Sequence, residues 1–347
     1  MFNVNEKING LRGNRRYMMF SLALVMVTGI SLLSYTHSSS LLMCSSPGSI
    51  RYMSSEAAAM TSADSAQYTF TNLNGLKADP QSHVLILTPL KNAAAYLPRY
   101  FELVNRLTYP KELISLSFLV SDTDDNTVDM LKNFAHQGHN FHHINILERD
   151  FNYELPEDKR HTFELQPMRR AMMARSRNYL LTASLRSEHA WVVWLDVDVV
   201  EYPETILEDL MSVDVDVVVP NCLLNTDDDS FWGYDKNNWQ ETEESLAIQK
   251  DLDDDYVLLE GYYEFPTSRK LMVDMPTHWP KLHKVELDGV GATFTMVKAE
   301  VHREGANFPA YPFQHEVETE GFAKMAKAMG FGVYGLPSYI IKHIYNN

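Results

Sequence analysis

Cysteine is scarce. The chain of 347 residues has two, Cys44 and Cys222, which cannot form a disulfide framework. Basic residues are also in short supply. Lys and Arg number 30 against 46 Asp and Glu, a formal net charge of −16. That balance excludes a non-specific nucleic-acid binder, which needs a basic face. It also means that an anionic ligand needs a local cation, either an arginine cluster or a bound metal ion. Glycine-rich phosphate loops are missing. No Gly-x-Gly-x-x-Gly follows the first predicted strand and there is no Gly-x-x-x-x-Gly-Lys-Ser/Thr, so dinucleotide and P-loop readings lose their support. No internal repeat is visible. With 45% hydrophobic and 22% charged residues, the chain is neither disordered nor collagen-like. Its length allows one large or two modest domains.

There is one long apolar run. Residues 17–42 carry no charge, and the core YMMFSLALVMVTGISLLSYT (17–36) matches the ~20 residues a helix needs to cross a bilayer. Arg12, Arg15 and Arg16 precede it, which predicts a cytoplasmic N-terminus (1–16) and a translocated remainder. The length favours an anchor. A cleaved signal peptide, with its shorter apolar stretch of ~7–15 residues, is the alternative and translocates the rest equally. Residues 37–80, rich in Ser, Ala and Met with Pro47 and Gly48, read as a stem. Cys44 lies in it, available for an intermolecular disulfide or as a free thiol.

From residue 81 strands and helices alternate. HVLILTPL (83–90), 113–122, 142–150, AWVVWLDVD (190–198) and VDVVVPN (215–221) read as strands ending in polar residues. Helical patterns cover 97–107, 167–185 and a stretch starting near Pro203. This alternation predicts an α/β fold, a mostly parallel sheet with helices on both faces. Residues 222–255 are loop-rich, with acidic runs at 227–229 and 253–255 that read as solvated surface. Further strands are expected near 256–265, 290–298 and 331–345, and a helix near 316–329. This second half is expected to cover the C-terminal edge of the sheet, where open α/β folds bind ligands.

The sharpest local feature is WLDVD, in which an apolar strand runs into Asp196 and Asp198. Two carboxylates at i, i+2 on a strand end can converge on one hard divalent cation, which can bridge and neutralise phosphates. Asp-x-Asp alone is a common tripeptide. Asp214 and Asp216 repeat it but precede a strand and read as loop. At the end of the first strand, Thr88 and Pro89 sit where a nucleoside often rests, and Asp122 ends the second strand. The helix at 167–185 carries Arg169, Arg170, Arg175 and Arg177. They are either a surface stripe or include guanidiniums turned inward to a phosphate.

Several segments in order resemble one family. They include HVLILTPLKNAAAYLP, RHTFELQPMRRAMMARSRNYLL, WVVWLDVDVVEYP, YDKNNWQE, EGYYE, ELDGVGA, ETEGFAKMAKAMGFGVYGLPSY and the closing KHI. From about Ser82 onward the chain resembles the fungal Golgi mannan polymerase subunits, an α-1,6-mannosyltransferase family. Ala292 stands where that family commonly has a third glycine.

The resemblance implies a GT-A nucleotide-diphospho-sugar transferase fold and a single-pass type II Golgi membrane protein with a luminal catalytic domain (81–347). It implies GDP-mannose as donor, Mn2+ as metal and an α-mannan N-glycan as acceptor, with homologous subunits as partners. Transfer is expected with retention, by front-side attack of a 6-hydroxyl. The family pattern puts Asp198 and His343 on the metal and Asp196 at the ribose or the metal's waters. It puts Thr88, Pro89 and Asp122 at the guanosine, and Arg170 and Arg175 are the expected phosphate contacts of the helix. Asp235, with Asn237 and Trp239, falls near the donor sugar or acceptor, with Trp239 either stacked on a pyranose or in the core. Asp288 is expected to meet mannose hydroxyls, while Gly289 and Gly291 admit close backbone approach. Glu318 and Glu320 are expected to bind acceptor or start a helix. The alternative role is a structural subunit that organises a catalytic partner.

Overall fold

The computed structural model describes residues 82–344, except 157–158, 160–161 and 227–232. The expected anchor, the stem, Cys44 and the acidic run at 227–229 lie outside the described residues. Among those described, no helix is long and apolar enough to cross a membrane.

In chain order the body runs β1 (His83–Leu90), α1 (Leu97–Arg106), β2 (Ile114–Val120), α2 (Thr127–His136), β3 (His143–Glu148), α3 (Gln166–Ser184), β4 (His189–Leu195), β5 (Val199–Glu201), α4 (Ile206–Ser212), β6 (Val217–Leu224), β7 (Trp239–Gln240), α5 (Glu243–Gln249), β8 (Lys270–Leu271), β9 (Val285–Glu286), β10 (Phe294–Lys298), α6 (Ala299–Arg303), α7 (Glu318–Ala328) and β11 (Val333–His343). The main sheet is ordered β3-β2-β1-β4-β10-β6-β11-β5, and β9 pairs with β11. The β3-β2-β1-β4 run is parallel, and so is β6 with β11. Between these blocks β10 is antiparallel to both β4 and β6. The chain moves outward from β1 to β3 and then returns to β4 on the other side of β1. That reversal is the crevice where open α/β sheets take ligands.

Strand alternation sends successive side chains to opposite faces. On one face Val84, Ile86, Trp191 and Val193 pack with Tyr100 of α1, Leu131 and Phe134 of α2, and Ile206 and Leu210 of α4. On the other, Leu85, Leu87, Val192 and Trp194 pack with Leu180 of α3, Val301 of α6, and Phe322 and Ala326 of α7. Helices therefore cover both faces, as the alternating pattern requires.

Two features depart from the sequence reading. Residues 256–265 form turns and loop, because Gly261 turns the chain at a φ of 85°. The region 222–255, read as loop, contains β7 and α5. Thr242 caps α5, its hydroxyl accepting from Ser245 N–H while the Ser245 hydroxyl accepts from Thr242 N–H.

Candidate active site

The end of β4 and the end of β11 meet. Residues 196–198 turn the chain from β4 into β5, and β5 pairs with the last residues of β11, His343 opposite Val199. Ile344 N–H donates to the Asp198 carbonyl at 3.0 Å. This register brings His343 Nε2 to 2.9 Å from Asp198 Oδ1. His343 Nδ1 lies 2.8 Å from the Ile344 carbonyl oxygen. That contact fixes the proton on Nδ1 and directs the other nitrogen at the carboxylate, as a backbone carbonyl orients a metal-binding imidazole. Tyr234 stacks on the imidazole, with centroids 3.7 Å apart. Burial pulls the His343 pKa down, but the hydrogen bond and charge of Asp198 outweigh it and the net shift is upward.

These two donors fit the implied cation. A carboxylate oxygen and an imidazole nitrogen are an acceptable set for Mn2+. Adjacent ligands ~2.1 Å from one octahedral ion stand ~3 Å apart, close to the separation observed. Among the described residues there is no grouping of three or more His, Cys, Asp or Glu arranged for a metal. Ligands from substrate and water would complete the shell.

Asp196 is held differently. Its N–H donates to the Thr293 carbonyl at 3.1 Å, tying the turn to the residue before β10. Arg177 Nη2 lies 3.4 Å from its Oδ1, and Arg177 Nε donates to Glu318 at 3.0 Å. Burial, opposed by Arg177 and reinforced by Asp198, pushes the Asp196 carboxyl up to about 6.

Asp235 is buried next to this pair. It accepts from the Thr293 hydroxyl at 2.9 Å and the Asn237 N–H at 3.2 Å, and burial raises its pKa. Gly291 packs directly on its carboxylate, so a Cβ there would overlap it. Gly291→Ala is expected to cost about 1–3 kcal/mol through overpacking, read as a lower Tm.

α3 presents one buried stripe of Arg170, Ala174, Arg177 and Leu181, three or four residues apart. Arg170 forms an ion pair with Glu320 and donates to Asn237 at 3.3 Å. Arg175 is on the exposed face, against Met172 Sδ at 3.2 Å. The inward guanidiniums are therefore Arg170 and Arg177. Helical spacing from Arg170 selects Arg177 over Arg175, a signal available in the sequence. Tyr234 was also missed, because nothing local marks an aromatic as the partner of a distant histidine.

Trp239 is wholly buried, with Arg269 3.6 Å over its ring and Gly289 packed directly on the indole. Its indole N–H donates to Glu320 at 3.1 Å. It is a core aromatic and has no free face for a pyranose. Asp288 accepts from Glu241 N–H at 2.8 Å and from Lys327 at 2.5 Å, bracing the start of this layer. Thr88 is buried and bonded to Tyr100 at 2.8 Å, so its hydroxyl faces the α1 layer, and Pro89 is half-buried beside it. Asp122, with φ 46°, accepts from Asn152 N–H at 2.9 Å and Phe151 N–H at 3.2 Å, which fixes the loop after β3.

Under Trp239 lies a buried charge network. Arg269 pairs with Glu316 and approaches Glu241 at 3.4 Å, and Lys324 reaches Glu241 at 2.6 Å. Burial and the neighbouring Glu320 push the Glu316 carboxyl up, against the pull of Arg269. The folded chain therefore takes up this proton at a higher pH than an unfolded glutamate, whose pKa is near ~4.3. The resulting contribution to stability is complete below that unfolded value and is lost as pH rises through the raised folded one. Glu316→Gln is expected to flatten the decline in unfolding free energy as pH rises above the ordinary glutamate range, measured by urea melts.

Residues 64–312 match the family model Anp1, more than half of the chain. The chain is 45% identical over 282 residues to the mannan polymerase II complex anp1 subunit of Schizosaccharomyces pombe, covering 77% of this chain and 65% of that one. It is 40% identical over 293 residues to the mannan polymerase II complex ANP1 subunit of Saccharomyces cerevisiae, covering 80% and 58%. It therefore spans less than two thirds of the length of either relative. Among solved structures it is similar to the mannosyltransferase PcManGT from Pyrobaculum calidifontis in complex with GDP-Man and Mn2+, with a TM-score of 0.44 and 12% identity over 78% of this chain and 59% of that one. By the extent of the family match and the identity to these relatives, the chain belongs to the Anp1 family.

Proposed function

We propose that the chain is a mannosyltransferase subunit of a Golgi mannan polymerase complex, anchored as a type II membrane protein by residues 17–36. Its GT-A body transfers mannose from GDP-mannose to an α-1,6-linked mannan backbone on N-glycans, with retention and dependence on Mn2+. The observation that carries this reading is the pairing of Asp198 Oδ1 with His343 Nε2, 2.9 Å apart, at the switch point of the sheet. Relatives named as mannan polymerase subunits support it.

Asp198 and His343 would hold Mn2+, which when bound supplies positive charge to neutralise a diphosphate leaving group. Arg177, fixed between Asp196 and Glu318, sets the orientation of Asp196 beside the donor. Asp235, buried and bonded to Thr293, adds a carboxyl of raised pKa within electrostatic reach of His343. Attack by the acceptor 6-hydroxyl from the leaving-group face fits a site where no carboxylate is assigned as covalent nucleophile.

The test is to incubate the full chain with labelled GDP-mannose and an α-mannoside acceptor, with Mn2+ or with EDTA. Label in the acceptor that depends on Mn2+, is competed by GDP and is not competed by UDP is the expected result. Absence of both transfer and GDP-mannose hydrolysis would favour the structural-subunit role.

A further inference from the structure

The segment EGYYE does nothing in the site described so far, yet it is built with care. Glu260 closes the loop on itself. Its carboxylate accepts from Gly261 N–H at 3.0 Å and from the Thr267 hydroxyl, and it faces Arg269 Nη1 at 3.8 Å. In the same loop Tyr256 and Phe265 pack with ring centroids 5.5 Å apart. Tyr263 is 89% exposed, the most exposed of the large hydrophobic side chains among the described residues. Tyr262 is half-buried against Phe163, with centroids 5.6 Å apart, and its hydroxyl is within electrostatic reach of Arg170 and Arg169. A pinned loop that holds a ring out in water gains nothing for folding.

The loop connects to the candidate active site in two ways. Arg170, within electrostatic reach of Tyr262, donates to Asn237, whose own N–H donates to Asp235. Gly261 lies against the residue after Asp235, where a Cβ would sit 3.3 Å from Lys236 Cδ.

We propose that Tyr262 and Tyr263 form the subsite that receives the acceptor saccharide, by stacking on a pyranose face beside the crevice. A pyranose has an apolar C–H face and a rim of hydroxyls. Tyrosine offers an apolar ring with a polar tip, and Glu264, Arg169 and Arg170 supply polar groups around it. The surroundings decide against a protein partner, because Gly261, Glu264 and Pro266 flank the rings without the contiguous apolar area such a contact uses. The clasp by Glu260 pre-orders the loop, which lowers the entropy lost on binding. The subsite rests on the functional reading above for the acceptor's identity and on these contacts for its place.

The experiment is saturation-transfer NMR of an α-1,6-mannotriose with the full chain. Tyr263→Ala and Tyr262→Ala are expected to weaken binding roughly tenfold, the scale of a lost aromatic stack, while Tyr263→Phe keeps it and Mn2+-dependent GDP binding is unchanged in all. Equal binding by the alanine variants and the wild type would overturn the assignment. No binding by the wild type would do the same, as would loss of subunit association with saccharide binding intact. Tyrosine-dependent mannotriose binding in a chain that does not use GDP-mannose would leave the subsite standing and remove the donor assignment.

Discussion

Asp198→Ala is expected to lower transfer by ~10³-fold or more with the Tm close to that of wild type, and His343→Ala to lower transfer by about as much. The size follows from charge. Each is one of two protein donors assigned to the cation, and removing a group that stabilises a developing anion costs ~10²–10³-fold even where a single hydrogen bond is lost. The small stability effect follows from exposure. The Asp198 side chain is one quarter exposed, so its pairing with His343 contributes little to folding. Asp198→Asn separates charge from shape, since it keeps a side-chain oxygen but loses the anion. It is expected to be nearly as inactive as alanine. Transfer at the wild-type rate in either alanine variant would remove the metal assignment.

Arg269→Ala is expected to destabilise the body by about 3–5 kcal/mol, the range for breaking a buried ion pair from one side. A body of this size then loses roughly 10 °C in Tm. The arginine side chain is wholly buried and lies between Glu316, Glu241 and the face of Trp239. Its removal leaves Glu316, Glu241 and Glu260 without this cation and takes away the cover of the indole, so Trp239 fluorescence should shift to the red. Arg269→Met with Glu316→Gln removes both charges at similar volume and should recover much of the loss. A single variant within about 1 kcal/mol of wild type would show that the network carries little.

What could be read from the sequence was what neighbours in the chain determine. The strand at 190–198 announces itself by its apolar run, and its abrupt end in Asp196 and Asp198 is a local pattern. His343 is different. Its pairing with Asp198 depends on the register of β5 against β11, which no local pattern encodes, and it was reached through the family resemblance alone. The expectation for Arg175 fails on helix phase, since Arg170 and Arg177 share the buried face. The expected strand at 256–265 failed because its apolar content is divided. Leu258 and Leu259 are buried while Tyr263 points to water, and the clasp at Glu260 turns the backbone. Helix α2 escaped notice in a polar stretch, yet Thr127, Leu131 and Phe134 lie on one face. Asp125 accepts the Thr127 N–H at 2.9 Å, an Asx-turn that leads the chain into the helix. Trp239 could be read as sugar platform or core, and its wholly buried ring makes it core.

In the proposed reaction Asp198 and His343 together hold the cation that binds the donor's diphosphate. Calorimetric titration of the full chain with GDP, with and without Mn2+, for wild type and His343→Ala tests this pair. GDP binding is expected to need Mn2+ and to weaken at least tenfold in the variant, within the range that loss of a metal ligand's support produces. GDP binding that is indifferent to both Mn2+ and His343 would remove the cation from these two residues.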